Sequence, residues 1–174
     1  MKNRIKLLSF LMGLCVASAL AAYAWFPVSP VSGPSADHVL VVKSQHTMIL
    51  LRDGRELCSY RVALGRSPVG PKTRAGDHKT PEGNYILDSK NPRSGFHLAM
   101  PVSYPNSLDR DRAAKEGTSP GGNIMVHGIK NGLGWLGRFH RLVDWTDGCI
   151  ALTNDEMDQF WNLVPEGTPI EIRP

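Results

Sequence analysis

Residues 38–65, HVLVVKSQHTMILLRDGRELCSYRVALG, are three apolar runs separated by short polar breaks. The runs 39–43, 46–51 and 56–64 are rich in Val, Ile, Leu and Tyr, side chains that pack well on a pleated surface. Asp53-Gly54 marks a tight turn between the last two. The stretch therefore predicts a β-meander, and a meander commits the chain to a sheet whose apolar face must be covered. Further strand candidates lie at 83–88, 96–102 and 122–127, and TPIEIRP closes the chain as another. Only one segment reads clearly as a helix. Thr153 and Glu156 form a capping box, and Met157, Phe160, Trp161 and Val164 line one face before Pro165 and Gly167 end it. RDRAAKEG (110–117) is a shorter candidate, and residues 67–85 form a long segment dense in Gly, Pro and charge. The expected fold class is mostly β, with one capping helix.

The formal charge is +4, but Lys2, Arg4 and Lys6 precede any acidic residue. From Asp37 onward 17 basic side chains face 16 acidic ones, so nothing points to a nucleic-acid surface. MKNRIK followed by LLSFLMGLCVASALAAYAWF is a positive n-region and an apolar run, with Ala22-Tyr23-Ala24 as a cleavage motif. Residues 1–26 are expected to be a signal peptide or, because about 20 apolar residues span a bilayer, an N-terminal membrane anchor. Residues 27–37 read as a Pro/Ser/Gly linker and 38–174 as one domain. The expected location is the periplasm or cell envelope, at the inner membrane if the signal is uncleaved. No oligomer seam is visible, which favours a monomer.

Export leaves Cys58 and Cys149 in an oxidising compartment, where one disulfide between them is the structural alternative. Cys58 sits in a strand-like stretch where a small buried hydrophobe is the commonest role for cysteine. Cys149, in DWTDGCIALTN (144–154), follows a glycine and precedes an apolar run. A nucleophilic thiol needs a base or a positive neighbour. His38, His46, His78 and His97 have no local feature that ties them to it. His127 closes the run NIMVHG at a strand end, with Gly128 leaving the ring edge open, and is the better base than His140. The N–H groups of Gly148 and Cys149 are candidate oxyanion donors. Zinc is disfavoured, since His127, His140 and Cys149 include no closely spaced ligand pair; no cofactor is called for.

IMVHG followed by TDGCIALTN resembles the signature of the L,D-transpeptidase (YkuD-like) catalytic domain family. GPKTRAGDHKTPEGNY is similar to that family's upstream segment at Gly76, Thr80, Pro81 and Gly83. The resemblance implies a small β-sandwich-like fold over roughly residues 38–173. It implies Cys149 as nucleophile, His127 as general base, the Gly128 carbonyl as the group orienting the imidazole, and a backbone oxyanion hole at Gly148 and Cys149. The implied reaction is acyl transfer on peptidoglycan stem peptides through a thioester, for cross-linking or lipoprotein attachment. A hydrolytic relative is the alternative, a carboxypeptidase or an amidase releasing a wall-linked lipoprotein; a non-catalytic wall-peptide module is another. The loop 128–145 is slightly longer than usual, and Asp147 and Ala151 depart from the common pattern. Trp145, Thr146, Asp147, Arg141 and His140 are the residues expected on the substrate side.

Overall fold

In the computed structural model, strand β1 (His38–Val42) buries Val39 and Val41 and turns its other residues outward, the period of two expected of a half-covered sheet. The structure describes residues 35–174, so the signal or anchor and the linker through residue 34 lie outside the described residues. Ala36 is already built into the domain: it is buried, and its N–H donates to the Leu163 carbonyl at 2.8 Å.

The predicted meander forms as β1, β2 (Thr47–Arg52) and β3 (Arg55–Arg61), turning at Asp53-Gly54 with both residues at positive φ. β9 (Thr168–Arg173) runs parallel to β1, and β4 (Gly83–Leu87) pairs antiparallel with β9, giving the order β3-β2-β1-β9-β4. A second sheet has the order β5-β6-β7-β8, from Asn91–Ser94, His97–Pro101, Met125–His127 and Ile150–Ala151. The exposed edge strand β5 carries Pro92, which an edge tolerates because it needs no ladder donor there. Nothing in its sequence announces a strand. β7 and β8 are parallel, with Val126 opposite Ile150 and His127 opposite Ala151. Single bridges, Ala63 to Ala151 and Leu87 to Val102, tie the sheets together over a common core that includes Met48, Leu50, Leu87, Met100, Val126, Ile150, Phe160 and Ile170.

Helix α2 (Asn154–Leu163) has the expected capping box: Thr153 Oγ1 accepts from the Glu156 N–H, and Glu156 answers to the Thr153 N–H. Met157, Phe160 and Leu163 are buried, as is Val164 at its end. Helix α1 (Ser107–Lys115) begins earlier than RDRAAKEG, because Asn106 and Asp109 form a second capping box. Among the described residues, two helices therefore accompany the sheets, along with 3-10 turns at Lys43–Gln45 and Gly134–Leu142.

The turn-rich segment is held by buried cations rather than by secondary structure. Lys43 Nζ donates to the carbonyls of Gly70 and Thr80 and to Glu82 Oε1 at 2.7, 2.9 and 2.8 Å. Lys72 Nζ donates to Asp77 Oδ1 at 2.7 Å and to the Arg74 carbonyl. Burial would raise the Asp77 carboxyl, but Lys72 and the N–H groups of Arg74, Thr73 and Lys79 outweigh it and hold the pKa at about 2. Asp77 is therefore ionised at neutral pH, where its ion pair with Lys72 is closed.

Candidate active site

The cysteine segment is clamped on both sides. Ala63 and Ala151 exchange N–H···O bonds at 3.0 and 2.8 Å, Arg66 N–H donates to the Thr146 carbonyl, and the Thr146 N–H donates to the Leu64 carbonyl. On the other flank the Leu152 N–H donates to the His127 carbonyl at 2.9 Å. The parallel pair β7–β8 thus carries His127 and delivers Cys149 one residue before β8 begins. Both side chains line a single cleft of about 490 Å³, together with Ser94, Phe96, Asn123, Lys130 and Trp145.

Behind Cys149 the backbone has no room to spare. Gly148 lies at φ +126°, and a Cβ there would stand 2.5 Å from the Lys79 carbonyl oxygen. Lys79 belongs to the turn-rich segment, which is therefore the back wall of the cysteine turn. Thr146 ties the turn internally: its hydroxyl donates to the Cys149 carbonyl at 2.7 Å and accepts from the Gly148 N–H at 3.1 Å. The Gly148 N–H, expected to face an oxyanion, is committed to Thr146 in this structure.

Cys149 Sγ contacts the Asn123 carbonyl at 3.5 Å. Burial pushes its thiol pKa up and Asp147 adds to this, against an opposing Met125 N–H and the Lys72 ammonium. The thiol is protonated at rest. His127 is 4% exposed, and burial lowers its pKa against the opposing Gly128 bond. Its Nδ1 lies 2.6 Å from the Gly128 carbonyl oxygen. A carbonyl only accepts, so Nδ1 carries the proton and Nε2 keeps a lone pair. The resting pair is thus a neutral thiol and a neutral imidazole, not a thiolate–imidazolium pair.

Aromatic rings enclose the imidazole. Phe96 lies 4.6 Å from His127 between centroids and stacks on Trp145, which meets His127 edge-on at 5.7 Å. Trp145 Nε1 donates to His140 Nδ1 at 3.2 Å. His140 is buried, does not line the cleft and holds the indole of Trp145, which does. Burial, then Arg141 and His127, lower its pKa to about 4. An unfolded histidine protonates near 6.5, so folding stability from His140 is fully present above that pH and is lost as pH falls toward 4. We expect about 3 kcal/mol of stability to be lost over this window. His140→Gln, which keeps an acceptor but does not titrate, should flatten the fall; denaturant unfolding at pH 4 and pH 7 checks it.

The remaining substrate-side expectations divide. Thr146 and Asp147 line the cleft, but the Thr146 hydroxyl is spent within the turn. Asp147, largely exposed, is paired with Arg66 and with His78 Nδ1, the latter at 2.8 Å, and Arg66 foremost lowers its pKa. Arg141 does not line this cleft: it pairs with Glu156 in the first turn of α2 and lies in a separate depression with Arg61, Arg138 and Leu142. The electrostatic attraction of a buried carboxylate draws it away from the cleft. The disulfide alternative is not formed. Both cysteines are free, and Cys58 on β3 donates to Tyr60 Oη at 3.2 Å.

Several site residues carried no local signal. His78 and Arg66 reach Asp147 from 69 and 81 residues away, and Phe96 comes from the turn between β5 and β6. Asn123 sits at φ +56°, a conformation asparagine tolerates better than most residues, and the run Gly121-Gly122-Asn123 was the available hint of irregular backbone there.

The family model for the L,D-transpeptidase catalytic domain, YkuD, matches residues 36–172. "Putative L,D-transpeptidase YafK" of Escherichia coli (strain K12) is 27% identical over 133 residues, which are 73% of this chain and 46% of that protein. The helical cell shape determining protein Pgp2 from Campylobacter jejuni superposes with a TM-score of 0.60 at 27% identity, over 80% of this chain and 48% of that one. Bd1075 of Bdellovibrio bacteriovorus gives 0.55 at 25% identity, over 86% and 51%. The chain spans about half the length of these relatives. Because the family match runs through both sheets and the whole cleft, this chain belongs to the L,D-transpeptidase catalytic domain (YkuD) family.

Proposed function

We propose that the protein is an exported cysteine acyl-transferase that takes peptidoglycan stem peptides as acyl donors, working in the periplasm. The observation that carries this is the shared cleft: His127 on β7 and Cys149, one residue before the parallel neighbour β8, open into one space. The imidazole has its lone pair on Nε2, as a general base requires. Sγ attacks the donor carbonyl carbon while Nε2 takes the thiol proton. The C–S bond forms, the C–N bond breaks, and His127 returns the proton to the leaving amine. An acceptor amine then attacks the thioester, losing its proton to His127, and the thiol is regenerated.

The Cys149 N–H is the backbone donor for the oxyanion in this scheme, since that of Gly148 is engaged by Thr146. Stem peptides carry carboxylates, and Lys130 is the Lys or Arg side chain that lines the cleft. The charge of Asp147, which also lines the cleft, is offset by Arg66 and His78, so an acidic substrate meets less repulsion. The neutral resting pair makes proton transfer part of the attack, so the thiol waits for a bound carbonyl.

The test is intact-mass spectrometry of residues 35–174 with a carbapenem, and separately with a disaccharide tetrapeptide, with and without an amine acceptor. An adduct of one drug mass, and a new peptide bond to the added amine, are expected. Release of the free acid whatever the amine concentration would make the enzyme a hydrolase working through the same thioester. A free thiol that takes up neither donor would overturn the reading.

A further inference from the structure

The peptide unit joining Gly128 to Ile129 is held at both ends. Its carbonyl accepts the His127 Nδ1–H at 2.6 Å, and its N–H donates to Asn154 Oδ1 at 2.9 Å. The amide orientation of Asn154 follows from chemistry, because a backbone N–H needs an oxygen to receive it. Asn154 is itself firmly placed. It is the first residue of α2, directly after the capping box at Thr153, and the Leu152 N–H just before it donates to the His127 carbonyl.

Two glycines leave the space that this amide occupies. A Cβ on Gly128 would lie 2.9 Å from Asn154 Oδ1, and one on Gly134 would lie 2.7 Å from Asn154 Nδ2. Neither glycine has a positive φ, so backbone strain does not require them. Close approach does, by Asn154 alone at Gly134 and by Asn154 together with His97 Cβ and the Phe96 carbonyl at Gly128.

We infer that Asn154 is a positioning residue for the His127 base, acting through the Gly128–Ile129 peptide. The inference rests on the acyl-transfer reading above for its kinetic consequence, but not for its structural one. Holding the N–H fixes the peptide plane, so the carbonyl stays aimed at Nδ1. A hydrogen bond at the N–H also polarises the carbonyl and makes it a better acceptor. With the plane free to rotate, the imidazole proton can move to Nε2. That tautomer has no lone pair for the Cys149 proton. A histidine's tautomer is set by the partner of its other nitrogen, and here that partner is itself set by Asn154.

The experiment compares wild type, Asn154→Ala and Asn154→Asp in residues 35–174. It uses two readouts: the pH dependence of carbapenem acylation, and the His127 tautomer from 15N imidazole spectra. Asn154→Ala should slow acylation by roughly ten- to a hundred-fold, as loss of an outer partner commonly does, and should raise the Nε2–H population. Asn154→Asp keeps the acceptor as a stronger, anionic one. It should keep the Nδ1–H form, restore most of the rate and shift the pH profile upward. If Asn154→Ala fails to fold, Asn154→Ser, too short to reach Ile129, takes its place. A folded Ala or Ser variant with the wild-type tautomer and a rate within two-fold of wild type overturns the inference. Failure of wild type itself to acylate would sink the enzymatic reading, while the tautomer comparison would still decide the role of Asn154.

Discussion

Cys149→Ala is expected to leave no covalent adduct with either donor, and His127→Ala to slow adduct formation by about 10²–10⁴-fold, the usual contribution of a general base. The two losses differ in kind. Without Sγ there is no atom to acylate, so the Ala variant is inert at every pH and donor concentration. Without the imidazole the thiol remains but must lose its proton to solvent. Burial and Asp147 keep its pKa above the ordinary thiol value, so little thiolate exists at neutral pH. The His127→Ala rate should therefore climb tenfold per pH unit through the alkaline range, where wild type is flat. Adduct mass against time at several pH values checks both variants. Rates that run parallel in wild type and His127→Ala across pH would show that His127 does not take the proton. Cys58 serves as the internal control, since its half-buried thiol lies on the other sheet and should stay unmodified.

Gly148→Ala should be severely damaging although the residue's side chain does no chemistry. At φ +126° any L side chain is strained, and the new Cβ meets the Lys79 carbonyl at 2.5 Å and Ile124 Cδ1 at 3.0 Å. The carbonyl is main chain on a segment held by Lys43 and Lys72, so it cannot yield cheaply. We expect a loss of about 3 kcal/mol or more of stability, with acylation falling because the cysteine turn must shift. Gly76→Ala is the comparison. Gly76 also has a positive φ, +74°, but nothing lies within 4 Å of its Cβ, so only conformational strain of about 1–2 kcal/mol applies. Denaturant unfolding of the two variants separates crowding from strain. Equal losses would mean that the Lys79 contact is unimportant.

Much of this was legible in local pattern. The meander, the closing strand and the capped helix followed from periods of two and 3.6 and from Asp53-Gly54 and Thr153–Glu156, all interactions within a few residues. Cys149 and His127 could be singled out because each sits beside a glycine at the edge of an apolar run. β5 could not, since NPRS becomes a strand only by lying against β6. The pairing of Arg141 was not legible either, because its partner Glu156 lies 15 residues on and only the fold brings the two together. Asn154 reads as an ordinary helix-start residue until the fold brings it to Ile129.

The sequence alone thus determined the elements and the chemistry-bearing residue types, because short-range backbone preference and side-chain reactivity are properties of the local chain. Tertiary structure alone decided how those residues behave. Burial set the protonation of Cys149, His127 and His140, and the crossing of distant segments chose the partners of Asp147, Arg141 and Asn154. Desolvation and hydrogen-bond geometry depend on what surrounds an atom in space, and only the folded chain specifies those surroundings.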